Sequence, residues 1–493
     1  MEYLQTLRRK IEEQLQIWEV PGVFVGAWQD GKTLICEGFG RRNESGDACN
    51  GQTLFQIGSC TKAFTAAAAM ILKERGILDL DKPVCEYLPG FDLMDEYAAR
   101  HVTTRDLLCH RSGIPRHEYA WYGTDFTREQ LVHNLRYLAP NMGLRQGYQY
   151  NNIGFILVGL LIEKLTGKSW EAFVEEELFR PIGMHRTTAF VDDAIADGNY
   201  TQPYSRPDLY AESGVKVIPF YRTPEVEDYQ KRIGAPFGPA GSVLSCAEDM
   251  LKWGQFHLGD GTTADGKRIL SAESMKEMHR AHVIIQGEEL PDGRQLPCYC
   301  LGWRTFSYHG RMVVTHSGGI DGATTQFYII PDEKLVVIAN VNIYLNLMCN
   351  AVAMDIIDHV LGVESDQFAF QLAEQKAALQ ADADAARRFV PAKVEGTVPT
   401  HALEDYAGAY QCPGYNDITV KCGDGKRSFG FIREVIPMSH YHYDVFRLDA
   451  AFSEVPAGIT VRFAYSASGS IDRLYVPLCF EPGVEPICFR KKD

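Results

Sequence analysis

The sequence predicts an α+β protein: one antiparallel sheet flanked by helices, followed by a separate small β-sandwich or barrel. Strand-like segments lie at both ends of residues 1–364, and a long helical stretch separates them. A two-stranded hairpin is marginal in isolation, so the simplest arrangement joins the two ends in a single sheet and inserts the helices between them. From Leu403 onward the pattern changes to short β-branched and aromatic runs at roughly ten-residue spacing, which suggests a sandwich or barrel.

The elements follow in order. The opening MEYLQTLRRKIEEQLQIWEVPG has amphipathic helical spacing and acidic residues, without an apolar run and small-residue cleavage site, so no signal peptide is expected. GVFVGAWQDGKTLICEGFG (22–40) reads as two strands about an Asp30-Gly31 turn. Residues 59 to about 290 read as helices and polar loops. YCLGWRTFSYHGRMVVTHSGG and TTQFYIIPDEKLVVIANVN then give four strands in a meander, with turns at His309-Gly310 and Pro331-Asp332. Residues 365–389 read as a solvent-exposed helix, and VPAKVEGTVPT (390–400) has the Pro and Gly content of a linker. The expected division is a main domain at 1–364, a helical segment and linker at 365–400, and a C-terminal β domain at 401–493, with turns at Gly423-Asp424-Gly425 and Ser468-Gly469.

Composition narrows the class of partner. At 493 residues, 45% hydrophobic and 23% charged, the chain is that of a soluble globular protein with more than one domain. Its formal charge is −15 (49 basic against 64 acidic residues) and no Lys/Arg run interrupts it, which argues against nucleic acid and anionic membranes and favours a small molecule or short peptide. The longest apolar runs, 63–72 and 154–162, fall well short of the ~20 residues that span a bilayer. Thirteen cysteines, scattered without CxxC or zinc-ligand spacing, point to free thiols in a reducing cytoplasm. The sequence leaves homo-oligomerisation open.

Three short motifs carry the chemistry. In FQIGSCTKAFTAAAAMIL, Ser59 and Lys62 are three apart at the start of an apolar helix, so they share a face. Burial lowers a lysine's pKa and turns it into a base for the hydroxyl, while the helix N-terminus favours the developing alkoxide. By itself S-x-x-K is a common coincidence, the alternative being a surface lysine beside a capping serine. Tyr150 and Asn152 sit just before a second apolar helix, where a phenol can pass protons and an amide can hold substrate; Asn152 can equally cap that helix. His316, Ser317, Gly318 and Gly319 end a strand, where small residues let a substrate backbone lie close and the Gly319 N–H can face an oxyanion.

SxxK, YxN and HxG in this order resemble the serine β-lactamase and penicillin-recognising enzyme superfamily, and within it the class C-type esterases and D-aminopeptidases. The resemblance spans roughly residues 10–362 and includes TTRDLLCHRSGI (103–114) and GPAGSVLSCAEDMLKW (238–253). It implies a β-lactamase-like sheet with a helical subdomain. It also implies Ser59 as acylated nucleophile, Lys62 as its base, Tyr150 as partner base and acid, Asn152 on the substrate amide, and the N–H groups of Ser59 and Gly319 as oxyanion hole. No metal or organic cofactor is implied. Antibiotic-hydrolysing members usually carry Lys or Arg where this chain has His316, a weaker and pH-dependent handle for a carboxylate.

SHYHYDVF places His440, His442 and Asp444 on one strand face about 7 Å apart, too far to share one ion without bending; the phrase is similar to one in lipocalin-like domains appended to some superfamily members and reads as structural. The EVEDY run (225–229) reads as a solvated loop, and the two N-x-S/T sequences carry no weight without secretion. The expected function is a serine hydrolase acting through an acyl-enzyme on small amides, peptides, including D-residue peptides, or esters. A β-lactamase or D-Ala-D-Ala carboxypeptidase is the competing enzyme, and a non-catalytic ligand-binding or scaffold module the competing class. Loss of a catalytic residue would mark the latter, and none is lost.

Overall fold

The computed structural model describes residues 2–205, 218–219, 236–286, 294–423, 426–432, 434–450, 455, 457–481 and 483–492. The EVEDY run and the Asp424-Gly425 part of an expected turn lie outside the described residues. After the helix Glu2–Ile17 come β1 (Gly22–Gln29) and β2 (Lys32–Gly40), joined by Asp30 and Gly31 with φ of 40° and 88°. Two left-handed residues match the twist of a tight hairpin. Two short ribbons pair β3 (Phe55–Gln56) with β6 (Leu244–Ser245) and β4 (Tyr204–Ser205) with β5 (Ile218–Pro219).

The remaining strands of the large sheet are β7 (Val283–Ile284), β8 (Arg294–Tyr299), β9 (Arg304–Tyr308), β10 (Arg311–Ile320), β11 (Ala323–Ile330) and β12 (Leu335–Val341). Their order is β2-β1-β12-β11-β10-β9-β8-β7, with antiparallel neighbours. The expected four-strand meander is β9 to β12, and β1 joins it by pairing Val23 with Val341. β7 and β8 extend the sheet beyond that reading. Pro297 and a register shift between Gln295 and Cys298 break the alternation that marks a strand.

Alternation builds two apolar layers on the sheet. Val23, Val25 and Ala27 of β1 face the helices Glu2–Ile17 and Met348–Leu361, whereas Phe24 faces the layer of the helix Thr61–Glu74. That helix runs TKAFTAAAAMILKE, and its alanines, the strongest helix formers, let it lie close against the helix Ile153–Thr166, apolar through Ile162. The latter stops at Gly167 in a left-handed C-cap. No helix among the described residues is long and apolar enough to cross a membrane.

The helix Gln367–Arg387 departs from the solvent-exposed reading. Its first half docks on Met348–Leu361: Phe368 is buried, Asn350 Nδ2 donates to Gln371 Oε1 (2.7 Å), and the Leu347 N–H donates to Gln375 Oε1 (2.7 Å). Polar glutamines at the contact hide the apolar stripe that would have announced it. Beyond it, β13 (Gly408–Gln411), β14 (Ile418–Gly423), β15 (Lys426–Phe431), β16 (Glu434–His442), β17 (Val445–Leu448), β18 (Thr460–Tyr465), β19 (Ile471–Val476) and β20 (Ile487–Lys491) form a closed eight-stranded barrel. The preceding Pro/Gly segment is stitched to it. His442 Nδ1 accepts the Val394 N–H (3.1 Å), and Asp444 accepts the Thr400 N–H (3.0 Å) and the Tyr406 hydroxyl. His440 Nε2 instead donates to the Tyr443 carbonyl (2.9 Å), and Asp444 lies in the turn after β16, so the three do not share a strand face.

Candidate active site

Ser59 lies in a 3₁₀ turn (Gly58–Cys60) that leads directly into the helix Thr61–Glu74. The turn is pressed against β10. Gly58 has φ of 51°, and a Cβ there would stand 2.8 Å from the Gly319 nitrogen; a Cβ on Gly318 would stand 2.0 Å from the Ile57 carbonyl oxygen and 3.2 Å from the Ser59 nitrogen. Only glycine permits this approach. It brings the Ser59 turn and the Gly318-Gly319 backbone of β10 into direct contact.

Lys62 is the second residue of the helix Thr61–Glu74 and fully buried. Its Nζ is 2.9 Å from Ser59 Oγ, 2.8 Å from Asn152 Oδ1 and 2.8 Å from the Ala240 carbonyl oxygen. Burial pushes its pKa well below the usual lysine range; Glu118 opposes that shift and Arg116 adds to it. A neutral amine has two N–H donors and one lone pair. In that neutral form, with the donors on Asn152 and Ala240, the lone pair is left for the Ser59 hydroxyl, whereas the ammonium donates to all three. Tyr150 donates its hydroxyl to Ser59 Oγ from the other side (2.7 Å), and burial raises its pKa. Ser59 is thus flanked by a proton acceptor and a proton donor.

Asn152 stands at the N-cap of Ile153–Thr166 without capping it. Asn151 does that work, its Oδ1 accepting the Gly154 N–H (2.8 Å). The Asn152 amide is used on both sides, Oδ1 toward Lys62 and Nδ2 donating to Glu118 Oε1 (3.2 Å).

Ser317 is half-buried, Gly318 buried and Gly319 exposed, whereas the His316 side chain is turned inward and only 2% exposed. Its Nδ1–H donates to the Ser317 carbonyl (2.6 Å), so Nε2 accepts the Tyr299 hydroxyl (2.9 Å). Burial, and secondarily Lys62, lowers its pKa to about 3. The expectation of a pH-dependent handle is corrected accordingly: His316 is neutral across the ordinary range and fixes the end of β10. Behind it, His110 packs between Tyr150 and Tyr299 with ring centroids 4.3 and 4.5 Å away, and is likewise held neutral by burial.

Sequence reading missed four contributors. Arg116 and Glu118 form an ion pair (Nε to Oε1, 2.6 Å) in the loop after the TTRDLLCHRSGI segment, and the guanidinium lies 5.6 Å from the Tyr150 ring centroid. Two more come from the barrel. Glu481 Oε2 accepts the Arg116 N–H (3.2 Å) and Gln149 Nε2–H (2.8 Å), and Tyr415 donates its hydroxyl to His117 Nδ1 (2.6 Å). No motif spacing links residues so far apart in the chain.

Among the described residues no group of three or more His, Cys, Asp or Glu side chains is arranged to hold a metal ion. The chain is similar to Unguisins hydrolase ungD' of Aspergillus campestris, 30% identical over 441 residues covering 84% of this chain and 77% of the relative. In fold it resembles the octameric penicillin-binding protein homologue from Pyrococcus abyssi, with a TM-score of 0.62 at 23% identity over 99% of both chains. It also resembles D-amino acid amidase from Ochrobactrum anthropi SV3, with a TM-score of 0.58 at 22% identity over 73% of this chain and 97% of that one. Residues 392–491 match a domain of unknown function, DUF3471, and residues 7–353 match the Beta-lactamase family. With the eight-stranded sheet, the buried Ser59–Lys62 pair and that match over most of its length, the chain belongs to the Beta-lactamase family.

Proposed function

We propose that the protein is a serine hydrolase that opens small amides, peptides or esters through an acyl-enzyme on Ser59. The observation that carries this reading is the fully buried Lys62, whose Nζ stands 2.9 Å from Ser59 Oγ and 2.8 Å from both Asn152 Oδ1 and the Ala240 carbonyl oxygen. Ser59 Oγ attacks the carbonyl carbon and its proton passes to Lys62 Nζ; the oxyanion is received by the N–H groups of Ser59 and Gly319. Collapse breaks the bond to the leaving group, which takes a proton through Tyr150, and water repeats the sequence in reverse to free the acid. Asn152 holds Lys62 and offers its amide to the substrate. The hydrolase relative supports hydrolysis, and the D-amino acid amidase fold likeness supports amide substrates, D-configured ones included. A buried, neutral His316 supplies no cation for a drug carboxylate, which disfavours a β-lactamase.

In this reading residues 1–364 are the hydrolase domain, 365–400 the connecting helix and strap, and 401–493 the barrel domain. Free thiols at all thirteen cysteines support a reducing, cytoplasmic setting, and the likeness to an octameric homologue supports homo-oligomers. A fluorophosphonate probe should label Ser59, with labelling abolished in Ser59→Ala and slowed about 10²- to 10⁴-fold in Lys62→Ala and Tyr150→Phe. Mass spectrometry placing the adduct on another serine would overturn the mechanism. Hydrolysis of paired D- and L-aminoacyl amides, short esters and a chromogenic cephalosporin then identifies the substrate class.

A further inference from the structure

We propose that Glu118 and Arg116 are opposed positioning residues that set the protonation state of Lys62 and the orientation of the Asn152 amide, and that the barrel holds them in place. The inference rests on the acyl-transfer reading of Ser59 and Lys62.

The geometry is a short relay. Glu118 accepts Asn152 Nδ2–H (3.2 Å to Oε1, 3.4 Å to Oε2), and Asn152 Oδ1 accepts from Lys62 Nζ (2.8 Å). An amide can be turned over; a carboxylate on Nδ2 fixes it with oxygen toward the lysine. Arg116 binds the same carboxylate through Nε (2.6 Å) and a terminal nitrogen (2.5 Å) and lies over the Tyr150 ring.

The other groups around Lys62 carry no charge near neutrality. From its own turn come the Ser59 hydroxyl and the buried Cys60 thiol, whose pKa burial raises. The Tyr150 phenol is raised, and His110 and His316, behind the site, are lowered, each chiefly by burial. Phe155, with its ring centroid 5.4 Å from Nζ, and the Ala240 carbonyl close the rest. Among the described residues, the formal charges acting on the ammonium are therefore Glu118, which favours it, and Arg116, which disfavours it.

The pair is held from the barrel side. His117, between the two residues, is left-handed (φ 43°), a conformation unfavourable for a non-glycine residue. Its Nε2–H donates to the Ala139 carbonyl (2.9 Å), and Nδ1 accepts the Tyr415 hydroxyl. Glu481 holds the Arg116 N–H and, through Gln149, the residue next to Tyr150. Tyr415 and Glu481 thus grip the turn that presents Glu118 to Asn152.

The test uses the full-length protein and the rate of fluorophosphonate labelling of Ser59 from pH 4 to 10. Lys62 must be neutral to act, so labelling rises with pH through its pKa. Glu118→Gln keeps an acceptor for Asn152 but removes the negative charge; it should move the rising limb to lower pH. Arg116→Gln should move the limb to higher pH, and Tyr415→Phe, which loosens the grip, should lower the plateau about tenfold or more. A purely structural role for Glu118 would depress the plateau without moving the limb. Coincident limbs for wild type, Glu118→Gln and Arg116→Gln overturn the proposal, while loss of labelling in Ser59→Ala leaves the acyl-transfer reading standing. Labelling that persists in Ser59→Ala overturns both.

Discussion

At the scale of single residues, the site is organised by burial more than by contact distance. Lys62 has no carboxylate in hydrogen-bond contact among its described partners and reaches Glu118 only through the Asn152 amide, so desolvation outweighs attraction. The same argument fixes the fate of a cation at position 316. Installing a second amine beside Lys62, where the His316 ring meets the Tyr299 hydroxyl and the Ser317 carbonyl, buries a charge with no carboxylate among its described hydrogen-bond partners. His316→Lys should lose about 3 kcal/mol or more of stability and should not gain reactivity toward carboxylate-bearing β-lactams. Thermal unfolding together with cephalosporin turnover checks both. A stable variant with faster turnover would place residue 316 in the cleft.

At the scale of elements, the decisive contact is a 3₁₀ turn against a strand. Gly318→Ala puts a methyl 2.0 Å from the Ile57 oxygen, backbone against backbone, so β10 and the Ser59 turn must separate. Labelling of Ser59 should fall about 100-fold or more, since misplacement by an ångström costs that much, with the barrel unaffected. A Gly318→Ala variant that labels at the wild-type rate would show that β10 yields without cost. Much of this element was legible beforehand: the SxxK, YxN and HxG residues, the Asp30-Gly31 hairpin and the β9 to β12 meander all follow local rules of spacing, turn chemistry and alternation. β8 was not, because Leu296-Pro297 disrupts its alternation, and neither was the docking of Gln367–Arg387, made through glutamines. The inward turn of His316 depended on Tyr299, a partner from another strand. Glu118 and Arg116 are ordinary loop charges until the fold brings Asn152 beside them.

At the scale of the molecule, buried neutral histidines set the response to acid. His316 and His279 are lowered to about 3 and about 4, and His110 and His257 are lowered too, all chiefly by burial. Their folded pKa values lie below the unfolded value of about 6.5. The unfolded chain therefore takes up protons first, and the stabilisation they give is present above that pH and lost as pH falls. Each such histidine costs about 1.4 kcal/mol per pH unit between about 6.5 and its folded pKa. Asp106 acts in the same direction at lower pH: burial alone would raise its pKa, but Arg145 and Arg111 hold it below the carboxylate range. The urea midpoint should drop steeply between about pH 6 and 4. A midpoint that is flat through this window would mean that the histidines are hydrated in the native state.

The pairing of Val23 with Val341 also has a consequence in time. β1 occupies an interior place in the large sheet, between β2 and β12, yet β12 leaves the ribosome roughly 300 residues later, about 15 to 60 s at ordinary synthesis rates. Throughout that interval the nascent β1–β2 hairpin presents an unpaired edge carrying Val23, Val25 and Ala27, residues that the finished protein covers completely. An apolar edge of that kind is a template for pairing with another chain. Yield of native protein should therefore depend on how the growing chain is shielded during translation, and a circular permutant that brings β12 next to β1 in sequence should be released from that dependence.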